Sequence, residues 1–236
     1  MVRLAGGLGF TGFELLNEFF PSPTALYLAR LRAAADEAGV RLLLIMCDDE
    51  GDLAADDRKE RLQAARNHRK WIDVATALDC RAIRVNVATD RPPDEADAAR
   101  EHAAEALADL LRYADGEISV LIENHWGLSS DPEWVVSLVE TVSDPGLGTL
   151  PDFGNFPDTI GDRYAALAQL MPHAGAVSAK CYDFAPDGRE TTIDFARAME
   201  VVRAAGYEGH VGVEYEGESL SERAGIQAAK ALLERS

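Results

Sequence analysis

Short apolar runs alternate with longer amphipathic stretches along the whole chain. The short runs are aliphatic and rich in β-branched residues, and they predict strands at Phe10–Leu16, Arg41–Cys47, Ala82–Val87, Ile118–His125, Leu147–Asp152, Ala176–Cys181 and His210–Glu216. The stretches between them have helical periodicity and predict helices at Ser22–Ala38, Asp56–Leu78, Asp94–Tyr113, Asp131–Val142, Thr159–Met171, Thr191–Ala205 and Glu218–Arg235. Capping signals support these helices, such as Asp131 ahead of Pro132 at one start and Gly39 after Ala38 at one end.

This alternation of strands and helices predicts a parallel sheet with helices outside it. Both an open doubly wound sheet and a closed TIM (β/α)8 barrel fit the pattern. A dinucleotide-binding sheet usually carries its glycine-rich turn after the first strand, whereas Gly6-Gly7-Leu8-Gly9 precedes a strand here. The pattern contains about seven strand–helix units, one fewer than a full barrel. No linker divides the chain, so we expect a single domain over residues 1–236.

Composition narrows the class of protein. The 236 residues include 41 acidic and 23 basic side chains, a formal charge of −18, which disfavours nucleic acid as a partner. No apolar run approaches the roughly 20 residues of a membrane helix, and no signal peptide is evident, so we expect a cytoplasmic protein. The three separated cysteines indicate reduced thiols. The acidic run 48–52 lacks the spacing of an EF-hand and is interpreted as a solvated loop.

Polar side chains are concentrated on or just after the predicted strands, where a barrel places its active site. Because side chains alternate along a strand, Glu123 shares a face with His125, and Ser178 shares one with Lys180. Glu214 lies on the same face as the second glutamate of its strand. Lys180 on an otherwise apolar strand is either a catalytic group or a counter-ion for a carboxylate.

Three acids lie at the ends of different strands: Glu123, Asp152 and Glu214. A single acid of this kind more often caps a helix or pairs with an arginine, but three together repel one another unless a cation joins them. Their oxygen ligands predict Mn²⁺ or Mg²⁺. Arg84 and Asn86 face the same way along their strand, and they are either substrate contacts or part of a salt bridge inside the barrel.

Four segments of the chain resemble the sugar phosphate isomerase/epimerase superfamily, whose fold is the xylose isomerase-like (AP endonuclease family 2) TIM barrel. Written by number, the segments are 122–127 (Ile-Glu-Asn-His-Trp-Gly), 151–156 (Pro-Asp-Phe-Gly-Asn-Phe), 177–184 (Val-Ser-Ala-Lys-Cys-Tyr-Asp-Phe) and 206–217. Their order and spacing match across nearly the whole chain. The resemblance also implies a strand and most of a helix ahead of Met1, because the chain begins inside what corresponds to the first helix. We therefore expect a barrel that lacks its first strand here.

The resemblance implies a divalent ion held by two glutamates, an aspartate and usually a histidine. These positions correspond to Glu123, Glu214 and Asp152, whereas the usual histidine is Ser178 in this chain. A further histidine that is common after the aspartate is replaced by Asn155. Water, the Ser178 hydroxyl or a nearby side chain is then left as the fourth ligand.

The activity implied by the resemblance is metal-dependent isomerisation or epimerisation of a small sugar, keto-sugar or polyol through an enediolate. In that scheme Glu123 and Glu214 transfer protons and Lys180 polarises the substrate. His125, Arg84, Asn86 and Asn155 would bind it. A lyase of the inosose dehydratase or C-glycoside-cleaving kind uses the same intermediate, and a non-catalytic sugar-binding barrel is the other alternative. We expect no membrane partner. An uncovered sheet edge would favour a homo-oligomer.

Overall fold

The structure is a computed structural model that describes residues 1–88 and 91–236. The described residues form seven strands: β1 (Gly12–Leu16), β2 (Arg41–Cys47), β3 (Ala82–Val85), β4 (Ser119–Glu123), β5 (Leu147–Leu150), β6 (Val177–Cys181) and β7 (Val211–Tyr215). They also form eight α-helices: α1 (Val2–Gly7), α2 (Ala25–Ala38), α3 (Arg58–Ala77), α4 (Ala96–Ala114), α5 (Pro132–Val142), α6 (Arg163–Leu170), α7 (Phe195–Ala204) and α8 (Glu222–Leu233). The predicted alternation of strands and helices is therefore confirmed.

All recorded strand pairs are parallel, and their spatial order follows the chain. Strands β1 to β5 form one ladder and β6 pairs with β7. The two ladders are joined just beyond β5, where the Ser178 amide donates to the Pro151 carbonyl at 2.9 Å and the Phe153 amide donates to the Ser178 carbonyl at 3.0 Å. The sheet is thus nearly continuous from β1 to β7 with the helices outside it, as expected for a barrel.

Strands β1 and β7 lie side by side, but the described residues record no ladder between them. A Cβ atom added to Gly212 on β7 would lie 2.6 Å from the Glu14 carboxylate on β1, so the absence of a side chain there makes room for this acid. An apolar groove of about 650 Å³ follows this side of the molecule, between helices α1 and α8. The expectation of a further strand ahead of Met1 stays a prediction.

Polar side chains of the site stand one layer above an apolar layer inside the barrel. The lower layer contains one aliphatic side chain from each of five neighbouring elements, namely Leu44, Ala82, Leu121, Leu150 and Ala176. Two residues further along each chain segment, the side chain points into the same interior one step closer to the carboxyl ends of the strands. These next positions are occupied by four polar residues, Arg84, Glu123, Asp152 and Ser178, and by Met46, which packs against the lower layer. The alternation of the strands therefore builds the floor and the site together.

The element boundaries differ slightly from those predicted. Strand β3 ends at Val85 rather than Val87, and β4 ends at Glu123 rather than His125. The polar residues that follow bind neighbouring loops instead of extending the ladder, as the Asn124 side chain does with the backbone of Asp152. The cap at Asp131 is confirmed, because its carboxylate accepts a hydrogen bond from the Glu133 amide at 2.9 Å.

Candidate metal and active site

Three carboxylates predicted to converge do lie together at the carboxyl ends of the strands. Glu123 ends β4, Asp152 follows β5, and Glu214 lies on β7. One ligand oxygen from each lies within 4.8 Å of the others, which is close enough to share a single cation. Glu123 and Asp152 are buried, whereas the side chain of Glu214 is 37% exposed. The site therefore has one side that is open to a ligand.

Asp152 is held by its backbone and by one of its carboxylate oxygens. The Asn124 side chain binds it twice, donating to the Asp152 carbonyl at 3.1 Å and accepting from its amide at 2.7 Å. Its Oδ1 accepts the amides of Gly154 and Asn155, each at 2.8 Å. Its Oδ2 is buried and has no hydrogen-bond partner among the described residues. Such an oxygen is costly to bury alone, so it is the atom best suited to bind a cation.

Glu123 is fixed between two neighbours. The Nε atom of Arg84 lies 2.9 Å from Glu123 Oε2, and the side-chain amide of Asn155 donates a hydrogen bond to Glu123 Oε1 at 3.1 Å. Burial raises the pKa of Glu123, and the charges of Asp152 and Glu214 raise it further, although Arg84 opposes them. Burial likewise raises the pKa of Asp152. A cation placed among these acids would relieve the repulsion and return both pKa values towards their ordinary range.

Lys180 lies beside Glu214, which is its partner in the β6–β7 register. Its Nζ is 3.3 Å from Glu214 Oε1 and 3.0 Å from Glu216 Oε1. Burial opposes the charge of Lys180, but Asp152, Glu214 and Glu216 outweigh it and keep the pKa of this amine above its ordinary value. Gly154 makes room for the lysine, because an added Cβ would lie 2.8 to 3.0 Å from three carbons of its side chain.

Ser178 occupies the position where the resemblance implied a histidine. Its hydroxyl donates to Glu214 Oε2 at 3.4 Å, a long hydrogen bond. Together with Glu123, Asp152 and Glu214 it gives an all-oxygen set, the chemistry that Mg²⁺ and Mn²⁺ prefer. The residues present thus fit such an ion, and the orphaned Asp152 Oδ2 is the observation that supports the fit.

Arg84 connects this centre to a second region of the barrel mouth. Its Nη1 lies 2.5 Å from Asp48 Oδ1, and the Asn86 amide donates to the same oxygen at 2.7 Å. The structure therefore places Arg84 in a buried salt bridge and Asn86 at the edge of a cavity. His125 lies in the same region, and burial lowers the pKa of its imidazole to about 4, with help from Arg84 and Lys180. It is neutral near pH 7.

The interpretation of residues 48–52 as a solvated loop is wrong for part of the run. Glu50 is buried, where it accepts a hydrogen bond from Trp71 Nε1 at 2.5 Å and pairs with Lys70 at 2.8 Å. Asp48 is partly buried against Arg84. Consecutive acids gave no sign of these long-range partners, which lie on a helix and on the next strand.

Glu14 and Asn124 are the residues near the centre that sequence reasoning missed. Glu14 lies on β1, and its carboxylate has no hydrogen bond or ion pair recorded among the described residues. Burial, followed by the charge of Glu214, raises its pKa to about 7. The signal was available, since Glu14 interrupts the apolar strand Gly12–Leu16 just as Glu123 ends its own. Asn124 has no such signal, because its partners are backbone atoms of another strand.

Comparison with known proteins identifies the class that this fold and site define. A sequence model described as the xylose isomerase-like TIM barrel matches residues 2–236. The chain belongs to this family, and the predicted α/β barrel class is confirmed.

Individual relatives are more distant. The chain is 26% identical over 236 aligned residues to a Mus musculus protein named "Putative hydroxypyruvate isomerase", an alignment that covers 91% of this chain and 82% of the mouse protein. The fold of the present chain is similar to that of 3-keto-D-glucoside 4-epimerase from E. coli. The TM-score is 0.83, with 17% identity over 100% of this chain and 93% of the E. coli chain. The fold is also similar to that of D-psicose 3-epimerase from Clostridium cellulolyticum H10, with a TM-score of 0.78 and 17% identity over 100% and 91% of the two chains.

Within the described residues, every helix is too short or too polar to span a membrane.

Proposed function

We propose that this protein is a divalent-metal-dependent isomerase or epimerase that moves a proton at a carbon next to a carbonyl group of a sugar. The observation that carries the proposal is the group of three carboxylates around the unpartnered Oδ2 of Asp152. Family membership supports the same class of reaction, since the relatives named above are called isomerases and epimerases. We also propose that the protein is located in the cytoplasm.

Glu123, Asp152, Glu214 and the Ser178 hydroxyl would hold the ion. When bound, Mn²⁺ or Mg²⁺ would polarise the carbonyl group and stabilise negative charge that develops on its oxygen. Oxygen donors of the substrate would approach from the exposed side of Glu214, because the other two carboxylates are buried.

Glu214 and Glu123 are the proposed acid–base groups. Proton abstraction next to a carbonyl needs a carboxylate near the substrate carbon. Burial among other acids raises the pKa of Glu123 without a metal, and the bound cation would bring this pKa back towards its ordinary range, so that Glu123 accepts a proton as the carboxylate. Lys180 lies beside Glu214 and would donate a hydrogen bond to a substrate oxygen. The neutral imidazole of His125 and the Asn155 amide would orient hydroxyl groups.

Hydrogen exchange with solvent tests the proposal directly. Keto-sugars such as D-fructose, D-psicose and D-tagatose are incubated with the Mn²⁺-loaded protein in D₂O, and deuterium at the carbon next to the carbonyl is followed by NMR and mass spectrometry. We expect one deuterium per turnover and a product of otherwise unchanged mass. Glu214→Gln and Glu123→Gln should each lower the rate by about 10²–10⁴-fold, whereas the exposed control Glu208→Gln should not. An unimpaired Glu214→Gln variant would refute the catalytic assignment.

The same experiment separates the alternatives. A dehydrated or shortened product would identify a lyase. A non-catalytic sugar-binding barrel is favoured by one observation, namely that Arg84 and Lys180 already neutralise Glu123 and Glu214 without a metal. In that case the protein would retain little Mn²⁺ by elemental analysis, and exchange would be absent even with excess metal.

A further inference from the structure

A cavity next to the carboxylate centre is lined, apart from His125, by residues that the proposed reaction does not use. It measures about 520 Å³ and lies at the carboxyl ends of β2, β3 and β4. Only the guanidinium group of Arg84 separates Asp48 of the cavity wall from Glu123 of the centre, because it lies 2.5 Å from Asp48 and 2.9 Å from Glu123. Cavities of about 300–1,000 Å³ hold ligands well above the size of a three-carbon acid.

Three neutral side chains in this lining carry hydrogen-bonding atoms that lack a partner among the described residues. His68 is 2% exposed, and its Nδ1 lies 2.8 Å from the Ala64 carbonyl. A carbonyl only accepts, so Nδ1 carries the proton and Nε2 is left as an acceptor. The Oδ1 of Asn86 and the Nδ1 of His125 are also buried and unsatisfied. The Asn86 and His125 atoms are closed to solvent, so ligand hydroxyl groups would pair with them once these two side chains turn towards the cavity.

An aromatic surface stands at the same cavity. The indole of Trp126 is 67% exposed, and its ring stacks on His125 with centroids 3.8 Å apart and planes inclined by 24°. Trp126 is also part of the cavity lining. An exposed tryptophan supported by a second ring offers a flat apolar face at low entropic cost, which suits the C–H face of a sugar ring.

The charges of the lining exclude anionic ligands. Among the described residues that line the cavity there are five acids and no lysine or arginine. Asp48 and Glu50 are ion-paired with Arg84 and Lys70, which lie behind the wall. Glu18 and Asp49 add further negative charge at the entrance. A phosphate or carboxylate group on the ligand would meet this field without a matching cation.

From these contacts we infer that the cavity is a subsite for an uncharged second sugar ring, with Trp126 as its stacking surface and His68, Asn86 and His125 as hydrogen-bonding partners. This inference rests on the proposed function, since it describes the substrate of that site. It makes the preferred substrate a neutral glycoside of a keto-sugar and disfavours three-carbon acids and sugar phosphates.

Matched sugars test the subsite by affinity alone. Dissociation constants are measured by isothermal titration calorimetry for D-fructose, for four of its neutral glucosides (turanose, maltulose, leucrose and isomaltulose), and for D-fructose 6-phosphate. We expect at least one glucoside to bind about tenfold more tightly than D-fructose, because a stacked ring adds a contact, and the phosphate to bind no more tightly than D-fructose.

Trp126→Ala should remove the preference for the glucoside and change the affinity for D-fructose much less, because Trp126 reaches the proposed D-fructose site only through His125. Leu26→Ala, which truncates a similarly exposed side chain (63%) on helix α2, should change neither. No preference for any glucoside, a preference that survives Trp126→Ala, or tighter binding of the phosphate would overturn the inference. Because the readout here is affinity rather than deuterium incorporation, solvent exchange on D-fructose remains a separate test, and either proposal can fail while the other stands.

Discussion

Glu14 is an acid that the fold keeps in an unfavourable place, and its removal should stabilise the protein in a pH-dependent way. Its carboxylate lies between β1 and β7, where burial and the charge of Glu214 raise its pKa from 4.5 to about 7. Below pH 4.5 the group is protonated in both the folded and unfolded states, so it costs nothing. As the pH rises towards 7, the unfolded chain releases the proton first, and the folded state loses stability relative to it.

The magnitude follows from the difference in pKa. A rise from 4.5 to about 7 corresponds to at most about 3 kcal/mol of lost unfolding free energy, and the partial exposure of Glu14 reduces this figure. Glu14→Gln keeps the shape of the side chain without its charge. We therefore expect the variant and the wild type to be equally stable near pH 4.5, and the variant to be more stable by about 1–2 kcal/mol above pH 7.

Urea denaturation followed by circular dichroism, in EDTA and at intervals from pH 4.5 to 8.5, measures this difference. Glu208→Gln is the matched control, because the same change at an exposed position should shift stability by less than about 0.5 kcal/mol at every pH. A difference between Glu14→Gln and wild type that is independent of pH, or that favours the wild type at high pH, would refute the reasoning.

Three further substitutions probe the centre. Asp152→Asn should preserve the turn, because an amide oxygen can still accept hydrogen bonds from the two backbone amides. The substitution places an NH₂ group where Oδ2 now lies, so elemental analysis should find little bound Mn²⁺ while the melting temperature is nearly unchanged. Gly154→Ala should push Lys180 away from the carboxylates and cost about 1–3 kcal/mol of stability with a clear loss of exchange activity, and full activity would contradict the tight packing of this glycine. Arg84→Met should cost about 3–5 kcal/mol by urea denaturation because it leaves Glu123 buried and unpaired, and a neutral effect would mean that the ion pair contributes nothing net.

Residues whose role depends on strand alternation were predictable, and residues whose role depends on distant backbone were not. Glu123, Asp152 and Glu214 come together because each lies near the carboxyl end of its strand, at an alternating position that faces the inside of the barrel. Ser178 and Lys180 are placed on β6 by the same alternation. Asn124 was missed since its partners, the amide and carbonyl of Asp152, lie 28 residues away. His68 gave no such signal either, because its recorded partner is a backbone carbonyl of its own helix, yet it lines the cavity beside the centre.

The lower interior layer of the barrel packs the strands together, and the upper layer carries the side chains that can bind a ligand. Each site residue is carried on the same strand as an aliphatic residue one step below it, as Glu123 is above Leu121 and Arg84 above Ala82. A change in the upper layer alters what the mouth of the barrel can bind without disturbing the hydrophobic floor that holds the strands in register. An exchange at an upper-layer position such as Ser178 is therefore expected to change what the mouth of the barrel binds while the aliphatic floor stays in place.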